Sequence, residues 1–161
     1  MKDMNSKIDL YRANSIRVLC SITDSGLLGQ IERFLKQAVV DKSPIVSSSA
    51  LVSGLRLMKV RHVFPYIRWK RLKSIQMNPE IVRRWSSEVQ EAANSDDPIV
   101  QFHAITLLHQ IKQNDKLAVS KLVLQCIRSN IRSPLASCSV IRYISEVHTV
   151  ANVFILSLTL M

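Results

Sequence analysis

Glycine and proline are scarce, at three and five residues in a chain of 161. Collagen-like and low-complexity disordered chains need far more of both, so those classes are excluded. Aromatic residues number only nine. Short Val/Tyr/Thr-rich runs bounded by glycine turns are missing as well, which argues against a β-sandwich or barrel. No apolar stretch approaches the roughly 20 residues of a membrane-spanning helix, and residues 151–161 reach about half that length. The opening Met1-Lys2-Asp3-Met4-Asn5 holds neither the apolar run nor the small-residue cleavage site of a secretory signal. Cys20, Cys126 and Cys138 are an odd number at spacings that fit no disulfide framework, so they read as reduced, buried thiols. The remaining expectation is a soluble, intracellular, helical chain of one domain.

Apolar residues make up 47% of the chain. Four of the five prolines follow a helix-capping residue: Ser43-Pro44, Asn78-Pro79, Asp97-Pro98 and Ser133-Pro134. A side-chain oxygen there accepts a free backbone N–H of the first turn, and proline next to it gives up an N–H that would be unpaired anyway. Apolar residues then recur at helical spacing. After Asp97 come Val100, Ala104, Leu107, Leu108 and Ile111; after Asn78 come Ile81, Val82, Trp85, Val89 and Ala92. Two more helices open at Ser25-Gly26 and at Asp115, and the first runs from near Asp9 to about Thr23. Helix starts near 8, 26, 44, 79, 98, 116 and 134 are 18 or 19 residues apart, save one interval of 35. Without residues 60–76 the rhythm is unbroken, with seven helices of roughly 14 residues, two to a repeat of about 36. That period belongs to stacked antiparallel helix hairpins, so the expected fold is an all-α α-solenoid of armadillo or HEAT type.

The net charge of +10 is unevenly spread. Residues 60–76 hold Arg61, Arg68, Lys70, Arg71 and Lys73 with no acid, and Phe64, Tyr66 and Trp69 lie among them. Such a mixture could grip phosphates while its rings stack on bases, or rest on anionic lipid. Because the segment interrupts a regular repeat, and Pro65 follows Phe64 rather than a capping residue, it reads first as an insertion. A basic nucleic-acid-binding or adaptor module using residues 60–76 is the alternative.

The residues encode no catalytic constellation, so the chain is not expected to be an enzyme, and no cofactor or metal site is assigned. His103 and His109 are six apart, about 240° around a helix, and cannot share a metal as an i, i+4 pair would. They read as satisfied groove or surface histidines. Cys126 and Cys138 sit on separate helices and read as packing. Gly26, Gly29 and Gly54 are isolated and form no phosphate loop. Gly54, close to Ser47, Ser48, Ser49 and Ala50, instead marks a close approach of two helices. Those serines lack the neighbouring His/Asp pattern of a nucleophile. Glu88, Glu91, Asp96 and Asp97 read as a solvated helix face and loop, and Trp85 as core.

Several runs then point to a family. Asp9–Asp24 (DLYRANSIRVLCSITD), Gln30–Leu55 (QIERFLKQAVVDKSPIVSSSALVSGL), Asn78–Ala92 (NPEIVRRWSSEVQEA), Val100–Val123 (VQFHAITLLHQIKQNDKLAVSKLV) and Arg132–Val147 (RSPLASCSVIRYISEV) resemble the adaptin-like trunk of coatomer gamma subunits, plant forms above all. The likeness covers residues 1–59 and 77–147. In that family the helix ending near Met58 passes directly into the Asn-Pro-Glu-Ile turn, so 60–76 has no counterpart, and the tail 148–161 leaves the pattern. The resemblance implies a partial adaptin-like solenoid over 1–147, part of a COPI vesicle-coat scaffold acting in Golgi-to-ER retrograde and intra-Golgi traffic. It implies as partners other coatomer subunits, including the small zeta-type one, and an Arf-family GTPase through the parent protein. The location it implies is cytoplasmic and peripheral on Golgi membrane and coated vesicles. No nucleic-acid partner follows from it, and a non-functional truncated product is the remaining alternative.

Overall fold

Three aspartates start three helices. Asp24 Oδ1 accepts the Leu27 N–H at 3.0 Å, Asp97 Oδ1 those of Ile99 and Val100 at 2.9 and 3.0 Å, and Asp115 Oδ1 those of Leu117 and Ala118 at 3.0 and 3.2 Å. Ser133 Oγ does the same for Ala136 at 3.3 Å. Each bond satisfies a donor that the first turn leaves without an intrahelical partner. Two of the four expected cap–proline pairs therefore cap, at Asp97 and Ser133. Ser43 and Asn78 make no side-chain cap bond. Beside Ser43 the loop is held differently, by its own N–H donating to Asp41 Oδ1 at 2.8 Å. The second helix is capped by Asp24, one residue before the Ser25-Gly26 pair expected to open it.

The structure, a computed structural model, describes residues 2–58 and 78–159, with side chains for all of these except 2, 25 and 148–159. The basic segment 60–76 lies outside the described residues. After a 3-10 turn, Lys2–Asn5, come α1 (Asp9–Ile22), α2 (Ser25–Val39), α3 (Pro44–Leu57), α4 (Pro79–Arg83), α5 (Ser86–Ala92), α6 (Pro98–Lys112), α7 (Lys116–Arg128) and α8 (Pro134–Thr159). No strand occurs among the described residues.

Two departures from the expected seven equal helices have local causes. The helix after Asn78 is broken in two, because the Arg84 and Trp85 N–H groups donate to Ile81 and Val82 carbonyls three residues back. This tighter winding turns the chain at Trp85, whose indole is fully buried. At the other end α8 runs for 26 residues instead of about 14, through the boundary at 147 and into the tail. No glycine or proline occurs from Leu135 to Thr159 to stop it.

The helices form two layers. In the front row α1 packs on α3, α3 on α6 and α6 on α8, while α2, the α4–α5 pair and α7 back it. Front-row helices run parallel, as a series of cross-contacts at matching heights shows. Arg12 near the start of α1 reaches Asp41 just before α3, at 3.0 Å. Gln101 in the first turn of α6 bonds to the chain entering α8. Near the far ends, Gly54 of α3 faces Leu107 of α6, and His109 of α6 faces Tyr143 of α8. One continuous core results, with Ile16, Leu28, Leu35, Leu51, Leu57, Leu107, Leu108 and Leu122 among its fully enclosed side chains. Each contributes about 1.5–3 kcal/mol by leaving water, which is how helices too short to persist alone become stable together.

Gly54 is the close approach its sequence setting suggested. A Cβ there would stand 3.1 Å from Leu107 Cδ2 and 3.1 Å from Trp85 Cζ3. The serines before it also have a structural task. Ser47, Ser49 and Ser53 hydroxyls donate to the carbonyls of Val39, Ile45 and Ser49 at 2.6, 2.6 and 2.8 Å. Small side chains that bond to backbone let α3, the middle of the row, be gripped on several sides.

Candidate functional site

A cleft of about 450 Å³ opens between α6, α7 and α8. Its floor is a polar clasp. The His109 and Tyr143 rings stack with centroids 3.7 Å apart and planes 4° from parallel. His109 Nε2 lies 3.2 Å from Glu146 Oε2, and the Tyr143 hydroxyl is shared with Thr106 and Ser139. Lys116 and Arg142 stand at its walls, Val119 and Val147 supply apolar surface. Burial pushes the His109 pKa down and Arg142 adds to this, against the opposing pull of Glu146. The imidazole is thus held neutral, able to donate to one carboxylate. Burial likewise raises the Tyr143 phenol, outweighing the hydroxyls of Thr106 and Ser139 that favour its ionised form. A neutral imidazole and an un-ionised phenol, stacked and hydrogen-bonded, make a fastening between α6 and α8. A nucleophile with a base aligned on it is not part of this arrangement.

The other residues weighed from sequence are dispersed. His103 is half-buried on α6, its pKa lowered by desolvation alone. It is not brought near His109. Neither histidine is fully satisfied, since Nδ1 of each is enclosed without a hydrogen-bond partner. Cys20 and Cys126 are buried as expected, and burial raises both thiols, Cys20 to about 11 despite the Ser53 hydroxyl and Arg56 nearby. Cys138 is exposed, which corrects its reading as buried packing: it lies on the side of α8 turned away from α6. Among the described residues no three His, Cys, Asp or Glu side chains are placed to hold a metal ion. Among the same residues no helix is long and apolar enough to cross a membrane.

Of the acids expected on a solvated face and loop, Glu91 and Asp96 are exposed, Asp97 caps α6 and Glu88 is more engaged. Desolvation pushes the Glu88 carboxyl up, but hydrogen bonds from its own N–H and Ser87 and the Lys36 ammonium at 3.6 Å together hold it below its ordinary value. Glu32 also meets Lys36, and Arg84 reaches Glu32 at 3.4 Å, so a small ion-pair network ties α2 to the α4–α5 pair. Asp96 meets Arg132 at 3.0 Å. Exposed pairs of this kind are worth about 0–1 kcal/mol each, and register rather than stability is their main contribution. Sequence reasoning missed Gln101 altogether. It is buried, its Nε2 donates to Asn130 O at 3.2 Å, and its Oε1 accepts from Arg132 and Ser133 N–H at 2.9 and 3.2 Å. A glutamine beside Val100 on the apolar stripe was the available signal.

The polar groups lining the cleft fasten α6 to α8. Comparison with known proteins gives this arrangement its relatives. Residues 1–152 match the adaptin N terminal region family. The chain is 61% identical over 147 residues to coatomer subunit gamma of Arabidopsis thaliana, 59% over 147 to coatomer subunit gamma-2 of Oryza sativa subsp. japonica, and 46% over 145 to coatomer subunit gamma-1 of Bos taurus. These matches cover 90 or 91% of this chain but 15% of each relative, so the chain spans about one seventh of their length. The chain belongs to the adaptin N-terminal family, and within it resembles the gamma subunits of coatomer.

Proposed function

We propose that this chain is a segment of a COPI-coat scaffold and acts through protein–protein contact rather than catalysis. The observation that carries the reading is the match to adaptin N-terminal sequence over residues 1–152, on a layered all-α stack. Such a stack presents a long, repeated surface that can wrap a partner. The partners the reading names are other coatomer subunits, the zeta-type small subunit among them, and an Arf-family GTPase through the parent protein. Its place is cytoplasmic, peripheral on Golgi membrane and vesicles, in Golgi-to-ER retrograde and intra-Golgi transport. Tagged 161-residue chain, expressed in plant cells beside a version lacking residues 60–76 and purified after nuclease treatment, should bring down other coatomer subunits, the shortened version at least as well. Recovery of none by either, both being soluble and helical, would sink the reading.

Residues 60–76 are an in-frame insertion in that scaffold, and their reading as a translated intron rests on codons. Lys59-Val60-Arg61 can be written AAG-GTA-AGN, which contains a splice-donor sequence, and Gln76 can be written CAG, an acceptor end. Seventeen codons keep the frame. The nearest described residues on either side, Met58 and Asn78, stand at the cap positions that end α3 and open α4. Amplifying the transcript across codons 59–77 should give a shorter product beside the longer one; only the longer, in every tissue, would count against it.

A further inference from the structure

The clasp in the cleft joins α6 to α8 through a group whose charge changes close to neutral pH. His109 and Tyr143 stack at 3.7 Å, and His109 Nε2 lies 3.2 Å from Glu146 Oε2. A carboxylate can only accept, so Nε2 carries the imidazole proton and Nδ1 the lone pair. Among the described residues Nδ1 is enclosed and has no hydrogen-bond partner. The neutral ring fits this site. A second proton has only Nδ1 to go to, and there it makes a buried, charged N–H without an acceptor.

Glu146 and the Tyr143 ring favour the imidazolium, the first by its charge and the second by its π-face. Arg142 of α8 and Lys116, at the start of α7, line the same cleft and repel it. On α6 itself Lys112 stands three residues further on, beside Cys126, and Lys121 and Arg128 of α7 are exposed. The other helices packed on α6 bring no charge to the cleft. Helix α3 carries Arg56 alone, beside Cys20, while Glu88 of α5 meets Lys36 and Glu91 is exposed. Loss of water outweighs Glu146, with Arg142 adding to it, so the closed clasp keeps His109 neutral to a lower pH than a free histidine.

We propose that this clasp is a proton-operated latch: uptake of a proton at His109 Nδ1 parts the stack, opens the cleft and frees the outer half of α8 from α6. In the open joint His109 meets water and takes a proton at its ordinary value, about 6.5. The closed joint takes it only at lower pH, so the latch is fully held above that value and weakens as pH falls through it. Gln101 holds the start of α8 and does not titrate, so that end stays docked at either pH. Loosening is confined to the turns around Tyr143, Glu146 and Val147. The device belongs to the α6–α8 joint alone and does not depend on which partner the scaffold holds.

Hydrogen exchange of the full chain tests the latch, read by mass spectrometry at about pH 7.5 and about pH 5.5 and corrected for the intrinsic rate at each. Opening of residues 140–147 should rise roughly threefold or more over that interval, about tenfold per pH unit being the limit for one proton, while α2 and α3 change by less than about twofold. His109→Gln keeps a donor for Glu146 but does not titrate, and it should abolish the rise. The triple variant His62→Gln/His103→Gln/His148→Gln leaves His109 as the sole histidine and should keep it. Glu146→Gln removes the charge that favours the imidazolium and should make the rise larger, which a merely packed histidine would not do. That variant decides the matter if His109→Gln fails to fold. A rise that survives His109→Gln, an equal rise in α2 and α3, a smaller rise in Glu146→Gln or no rise in the parent overturns the latch.

Discussion

Replacing Trp85 by alanine should cost about 3–5 kcal/mol of unfolding free energy, the range for emptying a large aromatic site in a core. The side chain is fully enclosed at the junction of α4 and α5 and touches the Gly54 face of α3. Removing it takes apolar contact from the front and back layers at once. Its Nε1 has no hydrogen-bond partner although it is buried, so the indole already carries the cost of an unmet donor. The loss should accordingly fall toward the lower end of the range, and Trp85→Phe should recover most of it. Urea denaturation followed by circular dichroism reads both variants. A loss under 1 kcal/mol for alanine would show that the broken helix does not brace the stack.

Gln101→Ala should be nearly as damaging, at about 2–4 kcal/mol, for a different reason. One amide side chain serves three backbone groups on the loop entering α8, the Asn130 carbonyl and the Arg132 and Ser133 N–H groups. Removal leaves buried donors without acceptors at about 1–3 kcal/mol each where water cannot replace the bond. Partial exposure of Arg132 moderates the sum. The isosteric Gln101→Met keeps the packing but not the bonds, so it separates the two effects. Hydrogen exchange at the Arg132 and Ser133 amides should quicken in both variants while that of α2 and α3 amides stays slow. Unchanged exchange at 132 and 133 would refute the bracing role.

Much of the fold was legible because it rests on local chemistry. Asp97 and Asp115 cap where the sequence placed caps, and the apolar stripes after them are the buried faces. Gly54 and Trp85 were readable as close approach and core, though not as each other's neighbours. Less legible was anything set by packing across the row. Ser43 looks like Ser133 in sequence, yet only Ser133 caps, since the turn before α3 is organised by Asp41 and Arg12 instead. Cys138 looks apolar by type and sits on a face that no described helix covers. His109 and Tyr143 are 34 positions apart, and only the parallel register of α6 and α8 brings their rings together. The break at Trp85 was hidden because its apolar spacing suits an unbroken helix as well as a kinked one.

The serial packing of the front row has a mechanical consequence. Helix α1 leans on α3, α3 on α6 and α6 on α8, and among the described residues no substantial packing joins the first to the last. A load applied at one end is passed from joint to joint, and each joint gives by a small slide of side chains past one another. The stack behaves as a leaf spring: stiff across each helix, compliant along the row, and able to change curvature without losing any one contact. The Gln101 brace and the His109–Tyr143 stack, both between α6 and α8, set how far that end can flex.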